Sequence, residues 1–223
     1  MRPLLVEETA RRRRAESRLV DVLERASFDE VLLPIIDYAE PYAPFASRDA
    51  LRRSYRFVDR DGELVSIRSD FTPMLARALA PSIDESNLPL RVFYRGDVIR
   101  YEGSRLGTDR EMFQIGAEII GDDSIDADIE ALTLAASMVR AIGVEPRIVH
   151  NDSRLEGRLD PNTFTLHIED EDPGYYTGVR FRVYVAGRRA PVAQGGRYNT
   201  LYARFGANVP AIGFTFTVDD LCE

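Results

Sequence analysis

The stretch that most constrains the fold of this chain runs from Arg91 to Gly121, and its pattern predicts two β-strands joined by a polar loop that contains glycine. On the second strand, alternation with a period of two gives one apolar face, made of Phe113, Ile115, Ala117 and Ile119. The opposite face carries Met112, Gln114, Gly116 and Glu118. The first strand divides in the same way, into Val98, Arg100 and Glu102 on one face and Ile99 and Tyr101 on the other. One side of this hairpin is therefore apolar, while the other offers arginine, glutamate, glutamine and a gap at Gly116.

The polar face of the hairpin has two explanations. An ordinary two-layer sheet exposes polar side chains to water on its outer face. A binding site for a zwitterionic ligand needs the same groups, with an arginine for the ligand's carboxylate and carboxylates for its ammonium group. The pattern alone leaves both explanations open.

The hairpin also resembles motif 2 of the class II aminoacyl-tRNA synthetases, in the form found in histidyl-tRNA synthetase. The residues at the positions of that motif are Arg100, Glu102, Arg110, Gln114, Gly116 and Glu118. The best fit is to a family of non-catalytic relatives, the regulatory subunits of ATP phosphoribosyltransferase. The resemblance implies an α+β fold, with a class II synthetase-like antiparallel sheet flanked by helices. We expect residues 1–223 to form a single domain of this type, without an anticodon-binding domain.

Composition and charge exclude several classes of protein. A hydrophobic content of 44% and a charged content of 30% are typical of a soluble globular chain, and no apolar run is long enough to span a membrane. The single Cys222 excludes an internal disulfide and favours a reducing compartment, so we expect a cytoplasmic protein. The N-terminus carries charges where a signal peptide would be apolar.

The basic residues are all arginine, which removes Schiff-base chemistry and a P-loop lysine. A net charge of −8 argues against a general nucleic-acid binder, and the run Arg11–Arg14 is interpreted as a solvated helix face. His150, His167 and Cys222 lie too far apart in the chain for a metal-binding motif. We expect neither a metal nor a cofactor.

The chain before the central hairpin is predicted to form, in order, a helix, a strand, a loop and a second hairpin, over Pro3–Ala26, Phe28–Tyr38, 39–54 and Tyr55–Arg68. The second hairpin turns at Asp61-Gly62, a dipeptide that favours a type I′ turn. Pro34 inside the predicted strand indicates an edge or an interface. The helix and strand resemble class II motif 1, which in the family builds the dimer interface, so we expect a homodimer core using Phe28–Tyr38.

The segment after the second hairpin contains two candidate site residues, Asp70 and Thr72. Because both precede Pro73, capping of a short helix is one explanation for them. The family offers another: in the synthetase this place reads R-P-E-G-T, and its acidic residue holds the amino group of the substrate. The regulatory relatives resemble this sequence more closely, with D-x-T-P.

The chain after the central hairpin is predicted to form a helix followed by strands, over 122–142, 174–185 and 211–221. Tyr175 and Tyr176 resemble the double tyrosine that surrounds the imidazole of bound histidine in the synthetase, and 195–198 matches its G-G-R-Y. The last strand runs into a helix-like end and resembles motif 3.

The resemblance implies a binding site for free histidine made of Asp70, Thr72, Arg100, Gln114, Glu118, Tyr175, Tyr176 and Arg197. In this hypothesis Asp70 and Glu118 take the ammonium group and Arg100 takes the carboxylate. The two tyrosines contact the imidazole, and Arg197 lies near the pocket wall.

Two departures from the synthetase pattern bear on catalysis. Asp220 stands where motif 3 has an arginine that contacts ATP, and Glu171 stands where the synthetase has its catalytic arginine. Anions at these places invert the electrostatics that ATP requires. The resemblance therefore implies a non-catalytic regulatory subunit that partners a short-form ATP phosphoribosyltransferase catalytic subunit in a hetero-oligomer. A small synthetase-like ligase that activates an amino acid with ATP, and a dimer with a vestigial pocket, stay open as alternatives.

Overall fold

The computed structural model describes residues 3–44, 47–101, 110–168 and 175–221. Within these ranges an eight-stranded sheet has the order β1-β5-β6-β11-β10-β9-β7-β8, and a smaller sheet has the order β2-β4-β3. The strands of the large sheet are β1 (Asp29–Glu30), β5 (Leu90–Ile99), β6 (Glu111–Ile120), β7 (Pro146–His150), β8 (Phe164–Leu166), β9 (Arg180–Val185), β10 (Ala193–Arg197) and β11 (Ala211–Thr217). The small sheet contains β2 (Ile36–Tyr38), β3 (Arg56–Val58) and β4 (Leu64–Ile67). The α-helices are α1 (Val6–Arg25), α2 (Arg48–Arg53), α3 (Phe71–Leu79) and α4 (Ile125–Ala141).

The central hairpin forms as predicted. Strands β5 and β6 pair antiparallel from Leu90 opposite Ile120 to Ile99 opposite Glu111. The remaining pairs of the large sheet are antiparallel too, except for β1 with β5 and β7 with β8, which are parallel. A largely antiparallel sheet flanked by helices is the α+β architecture that the sequence predicts.

The two faces of the large sheet are covered differently. The apolar face of β6 packs with α1 and α4 in a core that includes Leu19, Leu23, Ile115, Leu132 and Val139. Side chains buried this completely each contribute roughly 1.5–3 kcal/mol to folding. The opposite face is covered in part by α3, which brings Phe71 and Leu75 against Tyr94 and Tyr198. That side of the sheet retains the polar residues of the hairpin.

Helices α1 and α4 confirm the predicted helices with slightly later starts. Ser124 caps α4 by accepting a hydrogen bond from the Ala127 N–H (3.2 Å), and Gly143 follows the helix with φ +85°. The last strand also behaves as expected, since β11 runs into a 3-10 turn at Asp219–Leu221. No helix in the described ranges is long and apolar enough to cross a bilayer.

The predicted strand Phe28–Tyr38 is wrong as a single element, because it divides into β1 and β2, which belong to different sheets. Pro34 has no N–H to donate to a strand ladder. The Leu33 and Pro34 carbonyl groups instead accept hydrogen bonds from the Arg68 Nη1 (2.8 and 3.2 Å). The stretch Leu33–Pro34 is therefore held by a side chain, while on either side of it the Val31 N–H donates to the Phe93 carbonyl (2.8 Å) and the Ile35 carbonyl accepts from the Arg68 N–H (2.7 Å).

Two further predictions in this region need correction. Residues 39–54 contain the short helix α2, which Ser47 caps by accepting a hydrogen bond from the Ala50 N–H (3.0 Å). The second hairpin forms, but its turn is not type I′, since Gly62 has φ +87° while Asp61 does not have a positive φ. The Gly62 N–H donates to the Asp59 carbonyl and the Asp59 side chain accepts from two backbone N–H groups, which favours a type I turn with a glycine bulge.

Candidate functional site

A cleft of about 200 Å³ opens on the face of the large sheet that does not contact α1 and α4. Its floor comes from β6, β10 and β11, and its walls come from the end of β5, the start of α3 and the double-tyrosine segment. The residues that line it are Asp70, Thr72, Arg100, Gln114, Glu118, Tyr175, Tyr176, Pro191, Val192, Ala193, Gln194, Tyr198, Gly213, Phe214, Thr215 and Thr217. Seven of the eight predicted site residues are therefore brought together from distant parts of the chain.

Glu118 lies at the bottom of the cleft and is fully buried. The Tyr198 hydroxyl donates a short hydrogen bond to its carboxyl group. Thr72 Oγ1 and Tyr94 Oη also donate to Glu118, each at 3.3 Å. Burial raises the pKa of Glu118 to about 8, and the charge of Asp70 adds to the rise, while the hydroxyl donors oppose it. Burial therefore opposes ionisation of Glu118 near neutral pH.

Asp70 combines both of the explanations that the sequence offered for it. It is the N-cap of α3, and its side chain accepts a hydrogen bond from the Thr72 N–H (3.1 Å). Its carboxyl group also lines the cleft. Burial raises the pKa of Asp70, and the neighbouring Arg100 guanidinium and the Thr72 hydrogen bond partly offset that rise. Capping and ligand binding are thus compatible functions of one side chain.

Arg100 places a positive charge at the cleft wall, directly after β5. Its Nε donates a hydrogen bond to the Ser69 carbonyl (2.8 Å), which orients the guanidinium beside the start of α3. The cleft therefore has two carboxyl groups and one guanidinium within a small volume. This arrangement matches the opposite charges of a zwitterion.

Three tyrosine rings form one side of the cleft. The Tyr175 ring centroid lies 4.7 Å from that of Tyr176 and 5.6 Å from that of Tyr198, the second pair in an edge-on arrangement. Burial raises the pKa of Tyr175, Tyr176 and Tyr198, so their hydroxyl groups stay neutral and can donate hydrogen bonds. An aromatic wall beside carboxyl groups suits a flat, polar side chain on a ligand.

Two glycines let the floor residues pack. A Cβ atom at Gly213 would overlap the Glu118 carboxyl group, and a Cβ atom at Gly116 would overlap the Tyr94 hydroxyl. The gap that the sequence indicates at Gly116 is therefore filled by Tyr94, whose hydroxyl hydrogen-bonds with Thr215 Oγ1 (2.7 Å). Gly116 shapes the floor and leaves no opening for a ligand there.

One residue of the predicted site, Arg197, does not line this cleft. Its guanidinium lies on the other face of the sheet, where Nε donates to Asp128 Oδ1 (2.7 Å). The physical reason is its register: Arg197 pairs with Ile212, which belongs to the core under α4. Asp128, in the first turn of α4, therefore forms an ion pair with Arg197. Among the residues that the structure describes, no group of three metal-ligating side chains is found.

Sequence reasoning missed several residues that line or support the cleft, and some of them left a signal. Tyr94 supports Glu118 without lining the cleft, and it lies on the same face as Val98 and Arg100, which follow it by four and six positions. Thr215 and Thr217 lie on the same face of β11 as Gly213, at successive alternate positions. Tyr198 belongs to the G-G-R-Y motif but was not predicted to contact the ligand. Glu102, Glu171 and the side chain of Asp220 lie outside the described residues.

Comparisons with known proteins find relatives over most of the chain. The family model for histidyl-tRNA synthetase matches residues 1–155 and 164–221. A histidine–tRNA ligase of Thermococcus kodakarensis is 33% identical over 170 residues, which are 76% of this chain and 38% of that protein. An ATP phosphoribosyltransferase regulatory subunit of Moorella thermoacetica is 27% identical over 98% of this chain and 79% of its own length. The chain therefore spans less than half of the first relative and most of the second.

A solved structure shows the same fold. A Bacillus halodurans protein, described as an ATP phosphoribosyltransferase regulatory subunit/histidyl-tRNA synthetase, superposes with a TM-score of 0.86 at 19% identity. The superposition covers 100% of this chain and 81% of that one, which confirms the predicted class II synthetase-like fold. Because the family model matches nearly the whole chain and the fold agrees, this protein belongs to the histidyl-tRNA synthetase family, in which some relatives are named as ligases and others as regulatory subunits of ATP phosphoribosyltransferase.

Proposed function

We propose that this protein is a regulatory subunit of ATP phosphoribosyltransferase that binds free histidine in the cleft and does not catalyse a reaction itself. The observation that carries the proposal is the juxtaposition of Asp70, Glu118 and Arg100 around a cleft of about 200 Å³. The name shared by several relatives, including those of Moorella and Geobacter sulfurreducens, supports the regulatory assignment. The partner is then a short-form catalytic subunit of the same enzyme.

The ammonium group of histidine lies, in this proposal, between Asp70 and Glu118, with Thr72 and Gln114 as further acceptors. The positive charge of an ammonium ion attracts the carboxylate form of Glu118, so its binding favours ionisation of that group. The pKa of Glu118 is about 8 in the empty cleft, and histidine binding near neutral pH therefore releases a proton. Calorimetric titrations in buffers that differ in ionisation enthalpy measure that release directly.

The carboxylate and the imidazole of histidine contact other groups of the cleft in this proposal. Arg100 takes the carboxylate, because a guanidinium can donate two parallel hydrogen bonds to it. Tyr175 and Tyr176 contact the imidazole through their rings and hydroxyl groups. Charge-assisted hydrogen bonds contribute roughly 1.5–3 kcal/mol each, so the loss of one weakens binding about tenfold to a hundredfold.

The test uses isosteric variants of the two carboxylates. We expect Asp70→Asn and Glu118→Gln to bind histidine at least about tenfold more weakly than the wild type in calorimetric titration. Glu111→Gln is the matched control, because Glu111 lies exposed on the same strand as Glu118. Unchanged affinity in both cleft variants moves the ligand out of this cleft, and no histidine binding by the wild type supports a vestigial pocket instead.

Feedback requires more than binding. Histidine inhibits the partner only through a difference in its affinity for the active and inactive assemblies, commonly about 1–3 kcal/mol. With the catalytic subunit from the same organism, both cleft variants should assemble and retain basal activity while losing inhibition by histidine. Loss of assembly in these variants would place the carboxylates in the subunit contact rather than in a ligand site.

A second function is favoured by one specific observation, the 33% identity to a histidine–tRNA ligase. A ligase that activates an amino acid must neutralise the phosphates of ATP. Within the described part of the cleft the one cationic lining residue is Arg100, which is a poor match for that charge. We expect exchange of labelled pyrophosphate into ATP to stay at background with histidine and with every other amino acid. Robust exchange with any of them replaces the regulatory proposal with the ligase.

A further inference from the structure

Arg197 is a buried cation that the proposed site does not use. Its side chain is 5% exposed, as is expected for a charge only when it is paired and hydrogen-bonded. Besides the ion pair with Asp128, its Nη1 donates to the Asp122 carbonyl (2.9 Å) and its Nη2 to the Ser124 carbonyl (3.3 Å). The guanidinium thus ties the end of β10 to the start of α4.

The main chain of Arg197 supports the double-tyrosine segment. Its carbonyl accepts a hydrogen bond from the Thr177 N–H (2.8 Å), and its own N–H donates to the Val179 carbonyl (2.8 Å). A Cβ atom at Gly178 would lie 3.1 Å from the Arg197 Cβ, so the segment packs closely on this side chain. Tyr175 and Tyr176 therefore enter the cleft from a segment that rests on Arg197.

The residue after Arg197 reaches the cleft directly. Tyr198 points to the opposite face of the sheet and donates its hydroxyl proton to Glu118. A shift at the end of β10 therefore changes the positions of all three cleft tyrosines together. Asp128 also lies 3.8 Å from Arg154, a contact too long and too exposed to replace the buried pair.

We propose that Arg197 is a positioning residue, which sets the three tyrosines and the Tyr198–Glu118 hydrogen bond of the cleft by anchoring β10 to α4. This inference rests on the proposed function where it uses histidine affinity as the measurement. It gives Arg197, the arginine of the G-G-R-Y motif, a function on the face of the sheet opposite to the ligand.

The experiment compares Arg197→Lys with Arg91→Lys. Arg91 is a matched control, because it also ties a strand of the sheet to α4, through Glu130, while its side chain does not line the cleft. Both variants lose guanidinium hydrogen bonds and both should melt at a lower temperature than the wild type. We expect only Arg197→Lys to weaken histidine binding, by about fivefold to fiftyfold. Equal histidine affinities in the two variants overturn the inference.

A double-mutant cycle tests whether Arg197 affects histidine binding through Tyr198. If Arg197 acts through Tyr198, the effect of Arg197→Lys on histidine affinity shrinks at least threefold in a Tyr198→Phe background. Fully additive effects contradict positioning of Tyr198. The remaining effect in that background measures the part carried by Tyr175 and Tyr176.

A ligand-free measurement separates this inference from the proposed function. The free energy of unfolding is measured against pH for the wild type, Arg197→Lys and Tyr198→Phe, each with and without Glu118→Gln. In each case the difference between the two curves reports the titration of Glu118. The groups with the largest effects on Glu118 are Asp70, Thr72, Tyr94 and Tyr198, and three further tyrosines interact with its charge: Tyr175, Tyr176 and Tyr202. Because the Tyr198 hydrogen bond lowers the pKa of Glu118, its loss in Arg197→Lys should move the titration to higher pH, as in Tyr198→Phe. An unmoved titration overturns positioning, whereas absent histidine binding by the wild type overturns only the proposed ligand.

Discussion

At the scale of single residues, the cleft is built around the carboxyl group of Glu118, whose ionised form is disfavoured by burial. Glu118 is removed from water, and three hydroxyl donors only partly replace its hydration. Its neighbour Asp70 has a raised pKa for the same reason. The buried Glu118 and the half-buried Asp70 both have a raised pKa, so a cationic ligand that brings compensating charge is favoured beside them.

The first prediction concerns the pH dependence of stability. The pKa of Glu118 is raised from 4.5 to about 8, so the folded protein holds this proton more tightly than the unfolded chain does. The free energy of unfolding therefore falls as pH rises through this window, by on the order of 1 kcal/mol per pH unit from this group. Glu118→Gln lacks the titration, so its stability relative to the wild type should increase from pH 5 to pH 8 in urea unfolding.

The control for this prediction is the exposed Glu111→Gln on the same strand. We expect its stability to follow that of the wild type across the same range. A constant difference between Glu118→Gln and the wild type from pH 5 to pH 8 would show that Glu118 is ionised throughout.

The second prediction concerns Gly213 on β11. A methyl group there would overlap the Glu118 carboxyl group, so Gly213→Ala must displace that side chain or the strand. Overpacking of this kind costs about 1–3 kcal/mol of stability, and histidine affinity should fall with it. Adding Glu118→Asp moves the carboxyl group back by one methylene and should restore part of the stability in thermal melts. No recovery in the double variant places the clash on the backbone rather than on Glu118.

At the scale of elements, α3 shows how a local capping rule and a binding site share one residue. Asp70 begins the helix by accepting from the Thr72 N–H and faces the cleft with the same carboxyl group. Asparagine caps helices about as well as aspartate, while alanine lacks the acceptor. The two substitutions therefore separate the cap from the charge.

The third prediction follows from that separation. Asp70→Asn should keep the melting temperature near that of the wild type while histidine affinity falls at least about tenfold. Asp70→Ala should lose binding too and unfold with about 1 kcal/mol less free energy than Asp70→Asn. Equal stability of the two variants in urea would mean that the cap contributes little to α3.

The elements that sequence reasoning could predict are those long enough to show a period. The ten-residue strand β6 displays its alternation over several cycles, which predicted the central hairpin and the polar face of the cleft. Strands β1 and β2 have two and three residues, and α2 has six, so their patterns are too short to separate from loops. The short strands β3 and β4 were predictable because the Asp61-Gly62 turn joins them.

The side of the sheet on which a residue lies was harder to predict. In β10, Arg197 follows two glycines, which carry no apolar or polar signal to mark the faces of the strand. Its orientation depends on pairing with Ile212 of β11, a contact between residues that is not visible in the local pattern. The tertiary register therefore decided what the motif alone could not.

At the scale of the whole molecule, exposed apolar side chains concentrate around the small sheet and the chain that leads into it. The group comprises Leu32, Ile35, Ile36, Tyr38, Phe57, Val58 and Leu64. By the register of the small sheet, Ile36, Tyr38 and Phe57 share one of its faces, and Val58 and Leu64 lie on the other. Exposed apolar side chains grouped in this way favour an interaction site. The motif 1-like segment Phe28–Tyr38 contributes four of these residues, which supports the proposal that it forms a homodimer core.

The last prediction tests that core. Leu32 is 82% exposed, so an aspartate there leaves the folded monomer nearly unchanged but opposes burial in a two-fold interface, where the charge is placed twice. We expect the wild type to sediment as a dimer and Leu32→Asp/Ile35→Asp as a monomer. Ile168→Asp is the control, because Ile168 is 74% exposed but follows β8, at the opposite edge of the large sheet from β1. The control should remain dimeric, and a wild-type monomer both alone and with the catalytic subunit contradicts the proposed core. We expect the monomeric variant still to bind histidine, because Asp70, Arg100 and Glu118 lie together within one subunit. Loss of histidine binding in that variant would instead show that a second subunit completes the cleft.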